Sequence, residues 1–366
     1  MIKRARPTEI PLDRGHGGVV QPGIIDFSVS LNPLGPPTAA RAAYHRAAAE
    51  IARYPAPYPD ALAAKIADWI GVAPANVLVG NGSTQLIFLL ARTFGWRRPA
   101  VAIPTFSEIA NALALAGGEP VAIELAAARG WKFSVDDARR ALAAGADALL
   151  AGRPNSPTGS MLEFDEARAI AAAAAQAGAA CVFDEAFIDF VENAGSLARF
   201  AAAAPGLIVI RSLTKIFAIP GLRLGFVVAE PGAIARMREL IEPWSVNVVA
   251  ERVGSACLDG AGDFIARTHA LIACEREFVA AQLAHNPRLR PFPSAANFLM
   301  VAAEEHAPGG FGRFMLARGI ALRDLAALPG CGPQLYRIGL RGRADNQRLI
   351  DAAQAYAAMR HDGTAR

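Results

Sequence analysis

Residues 148–159 read Ala148-Leu149-Leu150-Ala151-Gly152-Arg153-Pro154-Asn155-Ser156-Pro157-Thr158-Gly159. A four-residue apolar run stops in a turn of proline, glycine and small polar residues, the pattern of a buried strand meeting a loop. The same pattern recurs downstream. Residues 180–183 run into Asp184-Glu185-Ala186, and residues 207–210 run into Ser212-Leu213-Thr214-Lys215. Further short apolar runs lie at 77–79, 100–103, 121–124 and 224–228, with helical patterns over 84–93, 106–115, 135–144 and 165–177. Short apolar strands alternating with helices predict an α/β fold built on a mostly parallel, doubly wound sheet. In such sheets ligands bind beyond the carboxyl ends of the strands.

The flanking sequence predicts three regions. Residues 1–40 are rich in proline and glycine and read as an N-terminal arm packing on a small domain. Residues 41–245 carry the large domain. Residues 246–366 read as a smaller α+β domain, with strands near 297–301 and 335–340 and helices near 311–318 and 346–358. Residues 233–284 read as one long helical stretch.

Composition narrows the function classes. The chain has 366 residues, 53% of them apolar and 19% charged, which fits a well-buried globular protein. Lysine occurs only at positions 3, 65, 132 and 215. The net charge is +4, but arginines are dispersed and no basic run interleaves with aromatics. Nucleic-acid binding is therefore not expected. Cys181, Cys257, Cys274 and Cys331 form no C-x-x-C pair, so reduced thiols are expected. His45, His269, His285 and His306 lack metal-ligand spacing, and no metal site is expected. Residues 1–10 lack an apolar leader core, and residues 169–183 are interrupted by Gln176 and Gly178. No signal peptide or membrane span is expected, and a cytoplasmic location is.

The candidate chemistry sits at the strand ends. Asn155, Asp184 and Lys215 follow three strands at a spacing of about thirty residues, so parallel strands bring them to one sheet edge. A lysine amine condenses with an aldehyde to a Schiff base. A buried aspartate keeps a pyridine nitrogen protonated. An asparagine amide donates to a phenolate oxygen. Gly80-Asn81-Gly82-Ser83-Thr84, at a strand-to-helix junction, offers N–H groups and hydroxyls to a phosphate, as do Ser212 and the Arg223 guanidinium. Phe106 is a candidate to lie on a ring face. Other readings exist for single residues: Asp184 as a helix cap, Tyr54 as core packing, Arg323 and Arg337 as ion-pair partners, His16 as a local hydrogen-bonding group.

The motifs taken together resemble the fold-type I aminotransferase-like enzymes of the histidinol-phosphate aminotransferase group. N-P-L-G, G-N-G-S-T, R-P-N-S-P-T-G, D-E-A-F, S-L-T-K followed after seven residues by R-L-G, and Y-R-I-G-L-R fall in that family's order. The resemblance spans residues 16–353. It implies pyridoxal 5′-phosphate as cofactor, Lys215 as the Schiff-base lysine, Asp184 as the pyridinium partner and Asn155 near the ring oxygen. It implies Ser83, Thr84, Ser212 and Arg223 around the phosphate. Tyr54 matches a tyrosine given to a neighbouring subunit's phosphate site, which implies a homodimer with shared sites. Arg337 matches the arginine that grips the substrate carboxylate, with Asn32 beside it.

Within the group, His16-Gly17-Gly18, the stretch 26–35 and Pro243-Trp244-Ser245-Val246-Asn247 resemble the threonine-phosphate decarboxylases of cobalamin biosynthesis. That branch implies a small phosphorylated amino acid as substrate, bound by His16 with Gly17 and Gly18 and by Arg323. Phe187 stands where the aminotransferases usually carry a tyrosine, and Phe106 likewise replaces a tyrosine. The expected reaction is decarboxylation of L-threonine O-3-phosphate. The alternatives are a histidinol-phosphate type aminotransferase and a non-catalytic binder of the same cofactor; the proline-rich arm leaves no room for the DNA-binding module that such regulators carry.

Overall fold

The computed structural model describes residues 16–18, 21–305 and 309–357. Strand β1 (Ile25–Asp26) is followed by helices α1 (Thr38–Ala47) and α2 (Asp60–Ile70). Then come β2 (Val77–Gly80), α3 (Gly82–Phe94), β3 (Pro99–Ile103), α4 (Glu108–Leu115), β4 (Val121–Glu124) and α5 (Val135–Ala143). The alternation continues with β5 (Ala148–Gly152), α6 (Phe164–Gln176), β6 (Ala180–Asp184), α7 (Ala198–Ala201), β7 (Leu207–Ser212), α8 (Leu213–Ile216), β8 (Gly225–Val228) and α9 (Pro231–Arg238). The remainder comprises α10 (Val248–Leu258), α11 (Ala261–Ala284), β9 (Leu289–Pro291), β10 (Phe298–Ala303), α12 (Gly310–Leu316), β11 (Ile320–Ala321), β12 (Arg323–Asp324), β13 (Leu335–Gly339) and α13 (Arg343–Ala357).

Seven strands form the large sheet in the order β2-β8-β7-β6-β5-β3-β4. Neighbours pair in parallel from β7 to β4, while β8 is antiparallel to both β7 and β2. The predicted mostly parallel, doubly wound architecture is therefore present. Successive side chains on a strand face opposite ways. Accordingly Leu149, Cys181 and Val209 join one buried cluster, and Leu150, Val182 and Ile208 another. Both faces are covered, which is why these strands read as unbroken apolar runs rather than alternating ones. Helix α3 buries Leu86, Leu89 and Leu90 on one stripe and stops at Gly95, whose φ of 57° suits glycine.

The second sheet is four-stranded and antiparallel, in the order β12-β13-β10-β9. Strand β1 pairs in parallel with β11, and Gly339 donates its N–H to the Phe27 carbonyl at 2.8 Å. The stretch 233–284, expected as one helical run, is instead three helices, α9, α10 and α11. The break after α9 holds Pro243, which lacks an N–H, and Trp244 with φ of 61°. Asn247 restarts the chain by accepting the Ala250 N–H at 2.8 Å, and Gly260, with φ of 70°, separates α10 from α11.

Candidate active site

Strands β5, β6 and β7 end side by side, with Gly152 opposite Asp184 and Asp184 opposite Ile210. Beyond them lies a cavity of about 550 Å³. Its wall includes Ser83, Thr84, Phe106, Asp184, Lys215 and Arg223 from the large-sheet side. Arg323 and Arg337 close it from the second sheet, and His16 and Gly17 from the arm. Residues scattered over the whole chain thus meet in one space of ligand size.

Lys215 lies in the short helix α8 that follows β7, and its Nζ lies 3.3 Å from the Ser212 hydroxyl. Burial lowers its pKa to about 8; Asp184 opposes that shift, whereas Arg223 and Arg337 add to it. A substantial neutral fraction near physiological pH makes the amine a nucleophile. Burial raises the Asp184 carboxyl, against the pull of the Ala186 N–H, which donates to Oδ1 at 2.9 Å, and of Lys215. Such a carboxylate is completed by a cationic partner on its cavity side.

An anion cradle lies at the start of α3. Gly82 has φ of 81°, and a Cβ there would sit 2.5 Å from Arg223 Nη2, so the guanidinium packs directly on the turn. Gly225 of β8 approaches just as closely: a Cβ there would lie 2.5 Å from the Ser83 amide nitrogen. Backbone N–H groups, the Ser83 and Thr84 hydroxyls and Arg223 converge where the helix dipole favours negative charge. Arg223 itself holds φ of 57°, a costly conformation outside glycine that accompanies this placement.

A cationic pair lines the same cavity from the second sheet. Arg323 and Arg337 are direct partners of the antiparallel β12–β13 ladder, with both side chains on one face. Arg337 donates from Nη1 to Ser156 Oγ at 2.9 Å and from Nη2 to the Ser28 carbonyl at 2.8 Å. Burial and then the Arg323 charge lower its pKa to about 10, with Asp26 opposing. Facing like charges at a cavity wall favour an anionic ligand. His16 Nε2 lies 3.2 Å from Glu108 Oε1, with the His16 ring 6.2 Å from that of Phe106. Gly17 and Gly18 fold tightly over Ser28: a Cβ on Gly17 would clash with the Ser28 carbonyl at 2.5 Å, and the Gly18 N–H donates to Ser28 Oγ at 2.9 Å.

Three of the expected site residues have polar groups engaged within the chain. The Asn32 amide is one of them. Its Nδ2 donates to the Ile216 carbonyl at 2.8 Å and to Thr268 Oγ1 at 2.7 Å, and its Oδ1 accepts from Leu34, so it braces the arm against the lysine segment and α11. Ser212 is buried against Lys215 and Thr214, and of these two hydroxyl residues Thr214 is the one that lines the cavity. Asn155 has its Nδ2 committed to the Pro104 carbonyl at 2.8 Å and to Thr158 Oγ1 at 3.0 Å. Its unpartnered buried atom is Oδ1, packed on Gly152. Asn155 is not among the residues lining the cavity of about 550 Å³, and the polar atom it leaves unpaired is an acceptor rather than the expected donor. Turning the amide over would set Oδ1 against the Pro104 carbonyl, two acceptors face to face.

Tyr54 lies outside this chain's cavity. It is 86% exposed, with its ring 5.6 Å from that of Trp244. Phe187 is buried edge-on to Phe298, and Lys215 Nζ lies 6.0 Å from its ring centre. Thr214, Glu108, Ser28 and Ser156 escaped the reading by motif. Ser28 and Ser156 stood inside quoted motifs, but only the approach of the second sheet gives them Arg337 as a partner. Among the described residues no cluster of His, Cys, Asp and Glu is arranged to hold a metal, and no helix is long and apolar enough to cross a membrane.

The family described as aminotransferase class I and II matches residues 22–352. The chain belongs to that family. It is 35% identical over 336 residues to the threonine-phosphate decarboxylase of Salmonella typhimurium (strain LT2), covering 92% of each chain. Among solved structures it resembles the histidinol-phosphate aminotransferase from Clostridium acetobutylicum, with TM-score 0.84 and 22% identity over 90% of this chain and 98% of that one. It also resembles the histidinol-phosphate aminotransferase from Sinorhizobium meliloti in complex with pyridoxal-5′-phosphate, with TM-score 0.76 and 21% identity over 90% and 89%. At those identities the two structures speak for the fold.

Proposed function

We propose that this family member is a pyridoxal 5′-phosphate enzyme that decarboxylates L-threonine O-3-phosphate to (R)-1-aminopropan-2-yl phosphate and CO2. The observation that carries the reading is that two cationic anchors line one cavity with Lys215 and Asp184, one from the large-sheet side and one from the second sheet. One anchor, Arg223 with the start of α3, suits the cofactor phosphate. The other, Arg323 with Arg337, suits a substrate that is itself multiply anionic. The likeness to the Salmonella typhimurium decarboxylase supports the same reading.

The residues present fit the cofactor. The Asp184 carboxyl, raised by burial, is matched by a protonated ring nitrogen. The Lys215 amine, lowered to about 8, is matched by an aldehyde. Gly82 leaves the space that a Cβ would take from Arg223. Phe106 and Ala186 offer apolar wall to a flat ring. Asn155 fits less simply, since its free atom is an acceptor and suits a ring hydroxyl. When bound, the cofactor supplies an aldehyde for the amine and an electron sink for the bond that breaks at Cα.

The chain's own residues select that bond. Arg337, braced by Ser156 and the Ser28 carbonyl, holds the substrate carboxylate at a fixed angle. Arg323 and His16 hold the phosphate end. With both ends pinned, the substrate would be held in one orientation about Cα, and the decarboxylation reading requires that orientation to present the bond to the carboxylate for cleavage. Lys215 Nζ then returns a proton to Cα. Phe187, its ring centre 6.0 Å from that amine, offers it no phenol hydroxyl. Tyr54, exposed beside Trp244, suits a role in a second copy's phosphate site, and we include a homodimer in the proposal.

The test is incubation of the loaded protein with O-phospho-L-threonine, following CO2 and the amino-alcohol phosphate. Stoichiometric release of both, without any keto acid, is the expected result. Turnover that requires a keto acid, with loss of the visible cofactor band in a half-reaction, would replace this reading by the aminotransferase one.

A further inference from the structure

Directly behind the candidate active site, on the opposite face of the sheet, lies a buried charge network. Strand alternation sends Gly152, Asp184 and Ser212 one way and Arg153, Glu185 and Arg211 the other. Arg153 and Glu185 are both 0% exposed and form an ion pair at 2.7 Å between Nη1 and Oε1. The remaining Arg153 donors are spent on carbonyls: Nε on Leu162 at 2.8 Å, Nη2 on Ala194 at 3.0 Å and Nη1 also on Gly195 at 2.9 Å. Glu185 Oε1 accepts the Leu197 N–H at 3.0 Å, and Oε2 accepts the Ser196 hydroxyl. The same hydroxyl accepts from Arg211 Nη1 at 3.1 Å, and Arg211 Nη2 pairs with Asp189. The chain therefore ties together the ends of β5, β6 and β7, the three strands that deliver Asn155, Asp184 and Lys215.

A fully buried ion pair is not needed for stability as such, since apolar side chains of the same volume commonly serve as well. Its location suggests another purpose. Asp184 and Glu185 are adjacent carboxylates in one buried strand end. Two such charges oppose each other's ionisation, and Glu185 does add to the rise that burial imposes on Asp184. Arg153 is the cation that compensates Glu185. Its backbone N–H also donates to the Asp184 carbonyl at 2.8 Å, which fixes the Asp184 main chain.

We propose that Arg153 is a positioning residue for the site: by binding Glu185 behind the sheet edge it holds Asp184 in place and screens it from the neighbouring negative charge. This rests on the reading of the cavity as a pyridoxal-phosphate site. Arg153 itself touches neither cofactor nor substrate.

The test uses Arg153→Met, Glu185→Gln and the double variant. Each is measured for pyridoxal-phosphate affinity, for the pH midpoint of the visible band of the loaded protein, and for the melting temperature of the cofactor-free protein. An uncompensated negative charge favours protonated forms nearby, and an uncompensated positive charge disfavours them. Arg153→Met is expected to move the midpoint up and Glu185→Gln to move it down, each by on the order of one pH unit. The double variant is expected to return close to the wild-type midpoint while its melting temperature stays lowered. Affinity should fall at least about tenfold in Arg153→Met and recover in the double variant.

If Arg153→Met does not fold, the near-isosteric Glu185→Gln decides alone: a downward shift supports the proposal, and an unmoved midpoint overturns it. Variants that melt earlier but keep wild-type midpoint and affinity would reduce the network to scaffolding. A wild-type protein that gives no visible band with pyridoxal phosphate sinks the functional reading, and this inference with it. Wild-type binding with unmoved variants sinks this inference alone.

Discussion

Replacing Arg337 by alanine tests the substrate end of the site through two independent signals. The guanidinium is half-buried, braced by Ser156 and the Ser28 carbonyl, and faces a cavity that also holds Lys215. A charge-assisted hydrogen bond to a carboxylate contributes about 1.5–3 kcal/mol. At about 1.4 kcal/mol per factor of ten, its loss raises the substrate dissociation constant by roughly 10- to 100-fold. The second signal is electrostatic. Arg337 is one of the cations that, after burial, lower the Lys215 pKa to about 8. Removing it relieves the repulsion on the protonated amine, so the pKa of Lys215 moves up towards its ordinary value. In the cofactor-free protein the rate of lysine modification by an aldehyde probe, followed against pH, should rise along a curve displaced to higher pH. Steady-state kinetics with phosphothreonine reports the first signal and the modification profile the second. Unchanged KM together with an unmoved profile would refute the placement of Arg337 in the ligand cavity. A moved profile with unchanged KM would keep it near Lys215 but remove it from carboxylate binding.

Lys215→Ala should abolish the visible band that pyridoxal phosphate gives with the wild-type protein, and a surviving band would mean that another lysine reacts. Lys215→Met should stabilise the cofactor-free protein most below pH 8. There the folded state must hold a buried ammonium, and the gain should fade as pH rises to about 10.5, where the unfolded lysine also loses its proton; calorimetry across that range checks the sign. Gly82→Ala places a Cβ against Arg223 at a φ of 81° and should weaken cofactor binding by about tenfold or more, read by fluorescence titration. Asn32→Ala removes three hydrogen bonds, two of them buried, and should lower stability by about 2–4 kcal/mol in chemical denaturation, with a smaller effect on KM than Arg337→Ala.

Much of the large sheet was legible because its signals are local. Apolar runs of strand length, glycine and proline at their ends, and helical periodicity between them are all readable within windows of a few residues. Parallel pairing then carries the residues after each run to a common edge, which is how Asp184 and Lys215 could be named before any coordinates. The two-residue strands β1, β11 and β12 had no such signal. They exist because distant segments supply their hydrogen-bond partners, Ile25 with Ile320 and Arg323 with Arg337. The break after α9 was marked by Pro243, but the apolar residues on either side masked it.

That an amine, a carboxylate and a phosphate-binding turn share one end of an α/β sheet is written in local pattern, from which strand direction and residue chemistry follow. How the remaining polar groups are spent depends on long-range packing. Asn32 turned out to be consumed by Ile216 and Thr268, Thr214 rather than Ser212 reaches the cavity, and Arg153 and Glu185 neutralise each other behind it. A side chain's donors and acceptors go to whichever partners the fold brings within about 3 Å, and those partners lie far along the chain, where no local pattern encodes them.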